Sequence, residues 1–300
     1  MFRLAAFTEE AIMPNFKHIL FPVDFSQQCC NVAPYVLCIA RRYGAHVSLL
    51  HVMELPTGAY PGWPAQAAVI DFQAMAEERR KRLDAYLTHE FVEVATTRLM
   101  REGDPARAIT DYALHEHVDL VMMPTHGYGP FRRFLLGSVT AKVLHDVKCP
   151  VWTGAHIPEA PAPPAGYRHI LCAVDFTENA APLVVWTARF AREQGATVKL
   201  VHAIPAAQPP DGLDIEGHKF RAYLMDVSRE EMAKVQCEAG TTLETIVEGG
   251  DVAPVVCRAA EESEADLVIV GRGVLQELFG RMRTHVYSII REAPCPVISV

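Results

Sequence analysis

The 300-residue sequence lacks any apolar run long enough to cross a membrane, since a membrane-spanning helix needs about 20 consecutive apolar residues. The first 15 residues contain one arginine, two glutamates and no sustained apolar segment, so they do not match a secretory signal peptide. We therefore expect a cytoplasmic protein with no membrane partner, in which residues 1–15 form an N-terminal extension.

Positive charge is also scarce, because 28 Lys and Arg residues stand against 36 Asp and Glu residues, for a formal net charge of −8. Nucleic-acid-binding domains usually carry a basic face. The eight cysteines include no CxxC pair and no zinc-type spacing with histidine. We expect no nucleic-acid partner, no metal site, and reduced thiols rather than disulfides.

The sequence does contain one pattern twice. Residues 16–52 and 167–203 align without a gap, beginning FKHILFPVDFS in the first copy and YRHILCAVDFT in the second. A repeat fixes the unit of folding, so we predict one domain at 16–153 and another at 167–300. The proline-rich segment 154–166 is the predicted linker, because its prolines disfavour a helix.

Short apolar runs alternate with helical patterns in both copies, which indicates parallel strands joined by helices. The predicted fold class is therefore α/β, with two tandem doubly wound five-stranded sheets covered by helices on both faces. In the first copy the predicted strands are 19–23, 46–52, 92–99, 120–123 and 150–153, and the predicted helices are 26–43, 68–89, 105–115 and 138–146. In the second copy the predicted strands are 170–174, 197–202, 242–247, 267–270 and 296–300.

Ligands of such sheets bind beyond the carboxyl ends of the strands, where the strand order reverses. This rule brings Asp24, Val52 and the segment after Met123 to one predicted crevice. Two loops, 54–66 and 205–217, follow the second strand of each copy, and either lids over the crevice or mobile connections fit their composition.

The segment 119–143, DLVMMPTHGYGPFRRFLLGSVTAKV, carries the strongest chemical signal. Its glycine-containing loop leads to a predicted helix that opens at Gly137 and Ser138, where unpaired amides and the helix dipole favour an anion. Ser138 and Thr140 could add hydroxyl donors, while Arg132 and Arg133 would either neutralise phosphate or form a solvated turn. The pattern matches neither GxxxxGK[ST] nor GxGxxG, and a Gly-Ser pair before a helix, taken alone, is more often a plain helix cap than a phosphate site.

Taken together, the motifs resemble the universal stress protein family: VDFS after the first strand, HV ending the second, EGDPARAI before a helix, HG-x9-GSVT, and KCPV before the last strand. The resemblance covers both copies and implies a fold like that of the adenine nucleotide α-hydrolases. It implies ATP, with or without Mg²⁺, or another adenine nucleotide as ligand, and a stress-response sensor or regulator rather than an enzyme. The residues that it assigns to the nucleotide are Pro22, Asp24, Val52, Met123, His126, Gly127, Gly137, Ser138, Val139 and Thr140.

Within that resemblance, Asp24 would meet the ribose, the Val52 backbone would contact adenine, and Gly127 with residues 137–140 would hold the phosphates. No catalytic residue is assigned. The first glycine of the family pattern G-x2-G-x9-G-[S/T] is replaced here by Pro124, which lacks an amide donor.

The second copy departs further from the phosphate-binding pattern. Val274 stands where the first copy has Gly127, and Arg283-Thr284 replace Gly137-Ser138. We therefore predict nucleotide binding in the first copy and a mainly structural role for the second. For Arg272, Arg281 and Arg283, a smaller anion or a solvated face are the two interpretations.

Both copies end in a CPV strand, at 149–151 and 295–297, and the family resemblance implies pairing through these last strands. We expect an internal pseudo-dimer of the two copies, with a whole-chain homodimer and an unknown protein partner left open. The alternative function is a scaffold that binds proteins without nucleotide. His51 and His202 are interpreted as hydrogen-bonded, half-buried side chains, and Cys29-Cys30 as small residues that the fold requires rather than a redox pair.

Overall fold

The computed structural model of the chain describes residues 14–54, 72–127, 136–155, 157, 166–205, 215–272 and 281–300. The described strands are β1 (His18–Pro22), β2 (His46–Met53), β3 (Thr96–Glu102), β4 (Leu120–Pro124), β5 (Val151–Gly154), β6 (His169–Ala173), β7 (Thr197–Ile204), β8 (Glu244–Gly249), β9 (Leu267–Val270) and β10 (Val297–Ser299). The described helices are α1 (Gln27–Tyr43), α2 (Phe72–Ala85), α3 (Pro105–His115), α4 (Ser138–Asp146), α5 (Ala180–Gln194), α6 (Ile215–Ala239), α7 (Val252–Glu262) and α8 (Arg281–Glu292).

These strands form one ten-stranded sheet in the order β3-β2-β1-β4-β5-β10-β9-β6-β7-β8. Within each half the five strands are parallel, and the two halves meet where β5 pairs antiparallel with β10. The α/β class and the pairing of the two last strands are thus confirmed. The two predicted five-stranded sheets are continuous with each other, because the last strand of each half is an edge that the other covers.

Helices cover both faces of this sheet, which explains why central strands such as β1 and β4 are apolar along almost their whole length. Ile19 and Phe21 face a core formed with α1, α2, α5 and α6, whereas Leu20 faces a second core formed with α3, α4, α7 and α8. Alternate strand residues point to opposite faces, so a strand between two helical layers buries both sets of side chains.

Aromatic residues join the two halves on the α1 and α5 side. The Phe16 ring lies 6.4 Å from Trp186 and 6.3 Å from Phe190, measured between ring centroids. The indole N–H of Trp152 donates to the Tyr167 hydroxyl at 2.8 Å in the buried interior. The halves therefore share a core as well as a sheet.

Local sequence signals account for the helix boundaries near the predicted site. Ser26 caps α1 by accepting from the Cys29 N–H, and the chain leaves that helix through Gly44 in the left-handed conformation, with φ 60°. Asp104 caps α3 by accepting from the Arg107 N–H at 2.9 Å, with proline at the first helical position. The predicted helix at 105–115 is confirmed at both ends.

The predicted strand at 92–99 is wrong in its first half, because β3 begins at Thr96. The preceding residues form turns in which the Phe91 N–H donates to the Leu87 carbonyl and the Val94 N–H to the Phe91 carbonyl. Phe91 and Val94 are buried while Val92 is 78% exposed. A series of turns that packs two residues on the core thus imitates strand alternation.

Several sequence-based predictions fall outside the described residues: most of loops 54–66 and 205–217, the first part of the helix predicted at 68–89, and Arg132 with Arg133. None of the helices in the described part of the chain combines the length and apolar character that a membrane crossing requires.

Candidate functional site

The strand order reverses beside β1, since β2 lies on one side of it and β4 on the other. The carboxyl ends of these three strands lie at one edge of the sheet. Asp24 follows β1, Val52 lies near the end of β2, and Gly127 follows β4. The fold thus brings the first three parts of the predicted site together at the switch point.

Asp24 is held in a fixed orientation by its neighbours. One carboxylate oxygen, Oδ1, accepts from the Ser26 N–H at 2.9 Å and from the Cys29 thiol at 3.2 Å. The other oxygen, Oδ2, faces the loop after β4, where a Cβ added to Gly127 would lie only 2.2 Å from it. Glycine at 127 is therefore what lets the backbone of this loop lie against the carboxylate.

The N-terminus of α4 begins with backbone amides that the helix itself does not bond. Its N-cap is Gly137, which has no side chain to accept from the first turn, and the first bond within the helix runs from the Ala141 N–H to the Gly137 carbonyl at 2.9 Å. The amides of Ser138, Val139 and Thr140 therefore have no partner within the helix. Together with the helix dipole they make this end suitable for a phosphate group.

Two donors predicted to reach phosphate are already paired inside the protein. The Gly137 N–H donates to the Thr125 carbonyl at 2.8 Å, and the Thr140 hydroxyl donates to the Pro124 carbonyl at 3.2 Å. Thr140 is only 3% exposed. At these two atoms the structure differs from the sequence-based expectation, because the carbonyls of Pro124 and Thr125, at the end of β4, accept from both donors.

The backbone of Val52 points toward the crevice. Leu50 is the last β2 residue paired with β1, through Pro22, and its carbonyl accepts from the Val23 N–H at 2.9 Å. Backbone groups of alternate strand residues point the same way, so the N–H and carbonyl of Val52 face the β1 side beyond the end of that strand. This is the arrangement that an edge-on contact with a base would need.

Pro124 lies at the crevice end of β4. The neighbouring N–H groups of Val121 and Thr125 donate to β5-side carbonyls, at 3.0 and 3.4 Å, so the Pro124 nitrogen faces β1. The paired part of β1 and β4 covers only Ile19 with Leu120 and Leu20 with Val121. Proline therefore removes no described ladder bond, but it removes one donor from the crevice.

The remaining predicted residues form the floor of the site rather than an open lining. Met123 is 5% exposed and packs in the core shared with α3 and α4. His126 is also buried, with its Nδ1 3.1 Å from the Thr125 hydroxyl. Pro22 is buried at the end of β1.

A ring contact between Phe25 and His51, tilted by 39°, supports the crevice, and its importance was missed from the sequence. Phe25 adopts a left-handed backbone conformation, with φ 64°, which is rare for a non-glycine residue. Its ring lies 4.3 Å from the His51 ring and 4.5 Å below the Arg82 guanidinium. The His51 Nδ1–H donates to the Val23 carbonyl at 2.8 Å.

The second half repeats this support. Phe176 has φ 58°, its ring stacks on His202 at 3.8 Å, and the His202 Nδ1–H donates to the Val174 carbonyl at 2.7 Å. Burial lowers the pKa of both histidines. The repeated Asp-Phe and His positions in the two copies were the available signal, and the interpretation of both histidines as hydrogen-bonded side chains is confirmed.

Cys29 is a buried thiol that donates to Asp24. Burial, and then the negative charge of Asp24, raises the pKa of Cys29 well above its ordinary value. The thiol is therefore protonated at neutral pH, which agrees with the interpretation of Cys29 as a small structural residue rather than a reactive one.

Arg272 follows β9 in the second half, and neither interpretation of it from the sequence is correct. Its guanidinium crosses to the first half and donates to carbonyls in the last turn of α4 and just after it: Val147 at 2.8 Å and Cys149 at 2.6 Å, with Leu144 and Lys148 at 3.4 Å. This side chain therefore supports the C-terminal end of the helix whose other end presents the free amides. The side chains of Arg281 and Arg283 lie outside the described residues.

Comparison with known proteins agrees with this architecture. The family model described as "Universal stress protein family" matches residues 15–153 and again 166–300. A universal stress protein of Methanocaldococcus jannaschii is 30% identical over 140 residues, which are 45% of this chain and 80% of that relative. One from Thermus aquaticus is 30% identical over 139 residues, which are 45% of this chain and 96% of that relative.

A solved structure matches both halves together. The crystal structure of a universal stress protein from Archaeoglobus fulgidus superposes with a TM-score of 0.69 and 21% identity, covering 96% of this chain and 97% of that one. At this identity the likeness bears on the fold alone, and it supports the α/β arrangement described above.

Proposed function

This chain belongs to the universal stress protein family, and we propose that its first half binds ATP or another adenine nucleotide and acts as a sensor or regulator. Bound nucleotide would lie along the switch-point edge, with the base near the Val52 backbone and the ribose hydroxyls donating to Asp24. The phosphates would accept from the amides of Ser138, Val139 and Thr140.

One observation carries this proposal: a fixed carboxylate and a glycine-capped helix start lie at the same edge of the sheet. Asp24 has its Oδ1 engaged and its Oδ2 directed at the Gly127 loop, which suits an acceptor for ribose hydroxyls. The α4 amides are suited to the opposite end of the ligand, where the charge is negative. The proposal includes the Mg²⁺ complex of ATP, in which the metal offsets part of the phosphate charge.

The groups around the crevice suit binding better than catalysis. The Cys29 thiol is protonated and donates to Asp24, and the His51 Nδ1–H is engaged with the Val23 carbonyl. Neither group is arranged as a nucleophile beside a base. All eight cysteines are free thiols, which supports our further proposal of a cytoplasmic, reducing location.

A second candidate function, a scaffold that binds protein partners without nucleotide, is favoured by a specific observation. The Gly137 amide and the Thr140 hydroxyl are already paired with the loop after β4, and Pro124 removes a further donor. If these groups stay engaged, the site would offer too few donors for a triphosphate.

Calorimetric titration of the full-length chain with ATP separates the two functions. We expect one ATP per chain, with GTP binding more weakly. Absence of binding, together with absence of nucleotide in mass spectra of the purified protein, would support the scaffold. Two equal ATP sites per chain would contradict the assignment to the first half.

Replacement of Ser138 by proline tests the amide contact directly. Ser138 is the first residue of α4, where proline is tolerated, and Gly137 already has the extended backbone, φ −62° and ψ 145°, that a residue before proline requires. Ser138→Pro removes one amide and one hydroxyl donor, so we expect roughly tenfold weaker ATP binding. The matched control is Val252→Pro at the first position of α7, preceded by Asp251 with φ −65° and ψ 141°; it should leave ATP affinity unchanged.

A further inference from the structure

The second half contains a cavity of about 310 Å³ at the carboxyl ends of β6, β7 and β9. It lies where the nucleotide site of the first half would be. Six of its lining residues occupy the positions that the first half fills with predicted site residues. They are Ala173, Asp175, Ala203, Val270, His285 and Val286, which correspond to Pro22, Asp24, Val52, Met123, Val139 and Thr140.

The lining of this second-half cavity is mainly aliphatic. Ala203 and Ala173 are smaller than Val52 and Pro22, so they leave more room at the strand ends. Val286 stands where Thr140 carries a hydroxyl. The other apolar side chains of the lining are Val174, Val201, Pro205, Val252, Val256, Val270 and Ile289.

The one guanidinium in the described lining, that of Arg272, is already engaged by hydrogen bonds to the first half. Both terminal nitrogens of Arg272 are engaged with carbonyls of the first half, the shortest contacts being 2.8 Å to Val147 and 2.6 Å to Cys149. A phosphate in the cavity would have to compete with those bonds for the positive charge. α8 begins at Arg281, so the amides of His285 and Val286, which correspond to those of Val139 and Thr140, lie beyond its first turn and are bonded within the helix.

The polar groups that remain favour a ligand that donates hydrogen bonds. Asp175 is exposed, and its Oδ1 accepts from the Thr177 N–H at 3.2 Å and from the Thr177 hydroxyl at 2.8 Å. These bonds fix the carboxylate, as the bond from the Ser26 N–H fixes Asp24 in the first half. The His202 Nδ1–H is bonded to the Val174 carbonyl, so the neutral ring leaves Nε2 as an acceptor. His285 of α8 is the other titratable side chain of the described lining.

We propose that this cavity binds a small neutral, largely apolar molecule that carries a hydroxyl or amino donor, and that it rejects phosphate esters. The volume is near the lower end of the roughly 300–1,000 Å³ range of small-molecule sites, which suits one or two fused rings. The aliphatic lining takes the rings, and the Asp175 carboxylate accepts from the donor while repelling an anion. The proposal does not depend on whether the first half binds ATP.

A matched pair of probes, 2-naphthol and 2-naphthyl phosphate, tests the charge selectivity. The two share one ring system and differ in the anionic group. Titrations of the full-length chain, followed by naphthol fluorescence in the presence of excess ATP, should give one 2-naphthol per chain and at least roughly tenfold weaker binding of the ester. Equal or tighter binding of the ester, or no saturable binding of 2-naphthol, would overturn the proposal.

Two substitutions from different elements locate the binding. Ala203→Leu on β7 and Val286→Phe on α8 both fill the cavity, and each should weaken 2-naphthol binding roughly tenfold or more. A thermal unfolding measurement shows whether each variant folds. If one of the two does not fold, the affinity of the other variant for 2-naphthol decides the test. If a folded variant of either kind binds 2-naphthol as tightly as the unmodified chain, the probe lies elsewhere and the proposal fails.

Charge is tested by Asp175→Asn against the matched control Asp226→Asn on α6. Asp175→Asn should narrow the difference in affinity between 2-naphthol and its phosphate ester, because the carboxylate no longer repels the ester. Asp226 pairs with Arg229 on an exposed helix face, so its amide variant should leave both affinities unchanged. An unaltered difference in Asp175→Asn would show that this carboxylate does not face the ligand.

Discussion

The two halves of the chain keep the same strand-end scaffold but complete it differently. In both, an aspartate follows the first strand, and a histidine at the end of the second donates to the carbonyl just before that aspartate, at 2.8 Å for His51 and 2.7 Å for His202. In the first half a glycine then leaves the start of α4 open to an anion. In the second half the corresponding residues line an aliphatic cavity.

The difference separates the residues of the repeat that support the fold in both halves from those that would contact a ligand in one half. The Phe–His ring contact recurs in each half, with centroids 4.3 Å apart at 39° in the first and 3.8 Å apart at 25° in the second, so it supports the strand ends whatever lies above them. The glycine N-cap belongs to α4 of the first half, whereas α8 already runs through the corresponding positions of the second half. Arg272 of the second half contacts the C-terminal end of α4, so the second half is a buttress for the first as well as the location of the proposed second site.

The largest effect is expected when this buttress is removed. Arg272→Met keeps the aliphatic stem but leaves four carbonyls of the first half without their donor, so the free energy of unfolding should fall by about 2–4 kcal/mol. Urea unfolding followed by circular dichroism measures it. Arg229→Met removes an exposed pair and should change the same quantity by less than about 0.5 kcal/mol. Equal effects of the two variants would mean that Arg272 does not support the first half.

The next effect separates the two sites by their aspartates. Asp24→Ala should weaken ATP binding roughly 10- to 100-fold, because a carboxylate that accepts from ribose hydroxyls contributes about 1.5–3 kcal/mol. Asp175→Ala should leave ATP binding unchanged and weaken 2-naphthol binding instead. Calorimetry with each ligand on each variant gives four results, and any variant that weakens both ligands equally would contradict two independent sites.

Much of this architecture is predictable from the sequence because the repeat constrains it twice. The helix at 105–115 is fixed by Asp104 and Pro105, two local signals that act at one boundary. The pairing of β5 with β10 follows from two apolar end strands that each need a partner. Where a local signal and a tertiary requirement agree, the prediction is confirmed.

The remaining features of the site depend on the direction in which each side chain points, and the residue type alone does not specify that direction. Thr140 has the right side chain for a phosphate donor, but its hydroxyl points to the Pro124 carbonyl. Arg272 has the right charge for an anion, but its partners are carbonyls more than 120 positions earlier in the chain. The strand predicted from Val92 is wrong because the sequence does not show which way its side chains point. The alternation of buried and exposed residues there comes from turns that pack Phe91 and Val94 on the core.

A smaller effect is expected from one added methyl group in each half. In Gly127→Ala the new Cβ would lie 2.2 Å from the Asp24 Oδ2, so the carboxylate or the loop must shift, and ATP affinity should fall roughly tenfold. In Gly271→Ala the new Cβ would meet Leu183 Cδ2 at 3.4 Å, an ordinary contact. That variant should bind ATP like the unmodified chain. If Gly127→Ala binds ATP equally well, the carboxylate and the loop do not act together in the site.

The smallest effect tests what the halves share. Burial lowers the pKa of His51 and of His202, below the value of about 6.5 that an unfolded chain gives. For each histidine, at a pH between its pKa in the folded state and its pKa in the unfolded state, the unfolded state binds more protons than the folded state. The free energy of unfolding therefore rises with pH in that range. The stabilising contribution of each neutral ring is therefore complete above about pH 6.5 and is lost as the pH falls below it.

His51→Asn and His202→Asn retain an amide donor for the Val23 and Val174 carbonyls but do not titrate. Each variant should therefore lose less stability than the unmodified chain between pH 7.5 and pH 5.5, as measured by urea unfolding, and the double variant should show the sum because the two rings lie in different halves. The titration of carboxylates also changes the free energy of unfolding in this pH range, but it affects the variants and the unmodified chain alike and cancels when they are compared. If only one histidine variant flattens the pH dependence of the free energy of unfolding, the two histidines do not have equivalent roles in their halves. The correspondence between the second-half cavity and the predicted site of the first half would then lose its support.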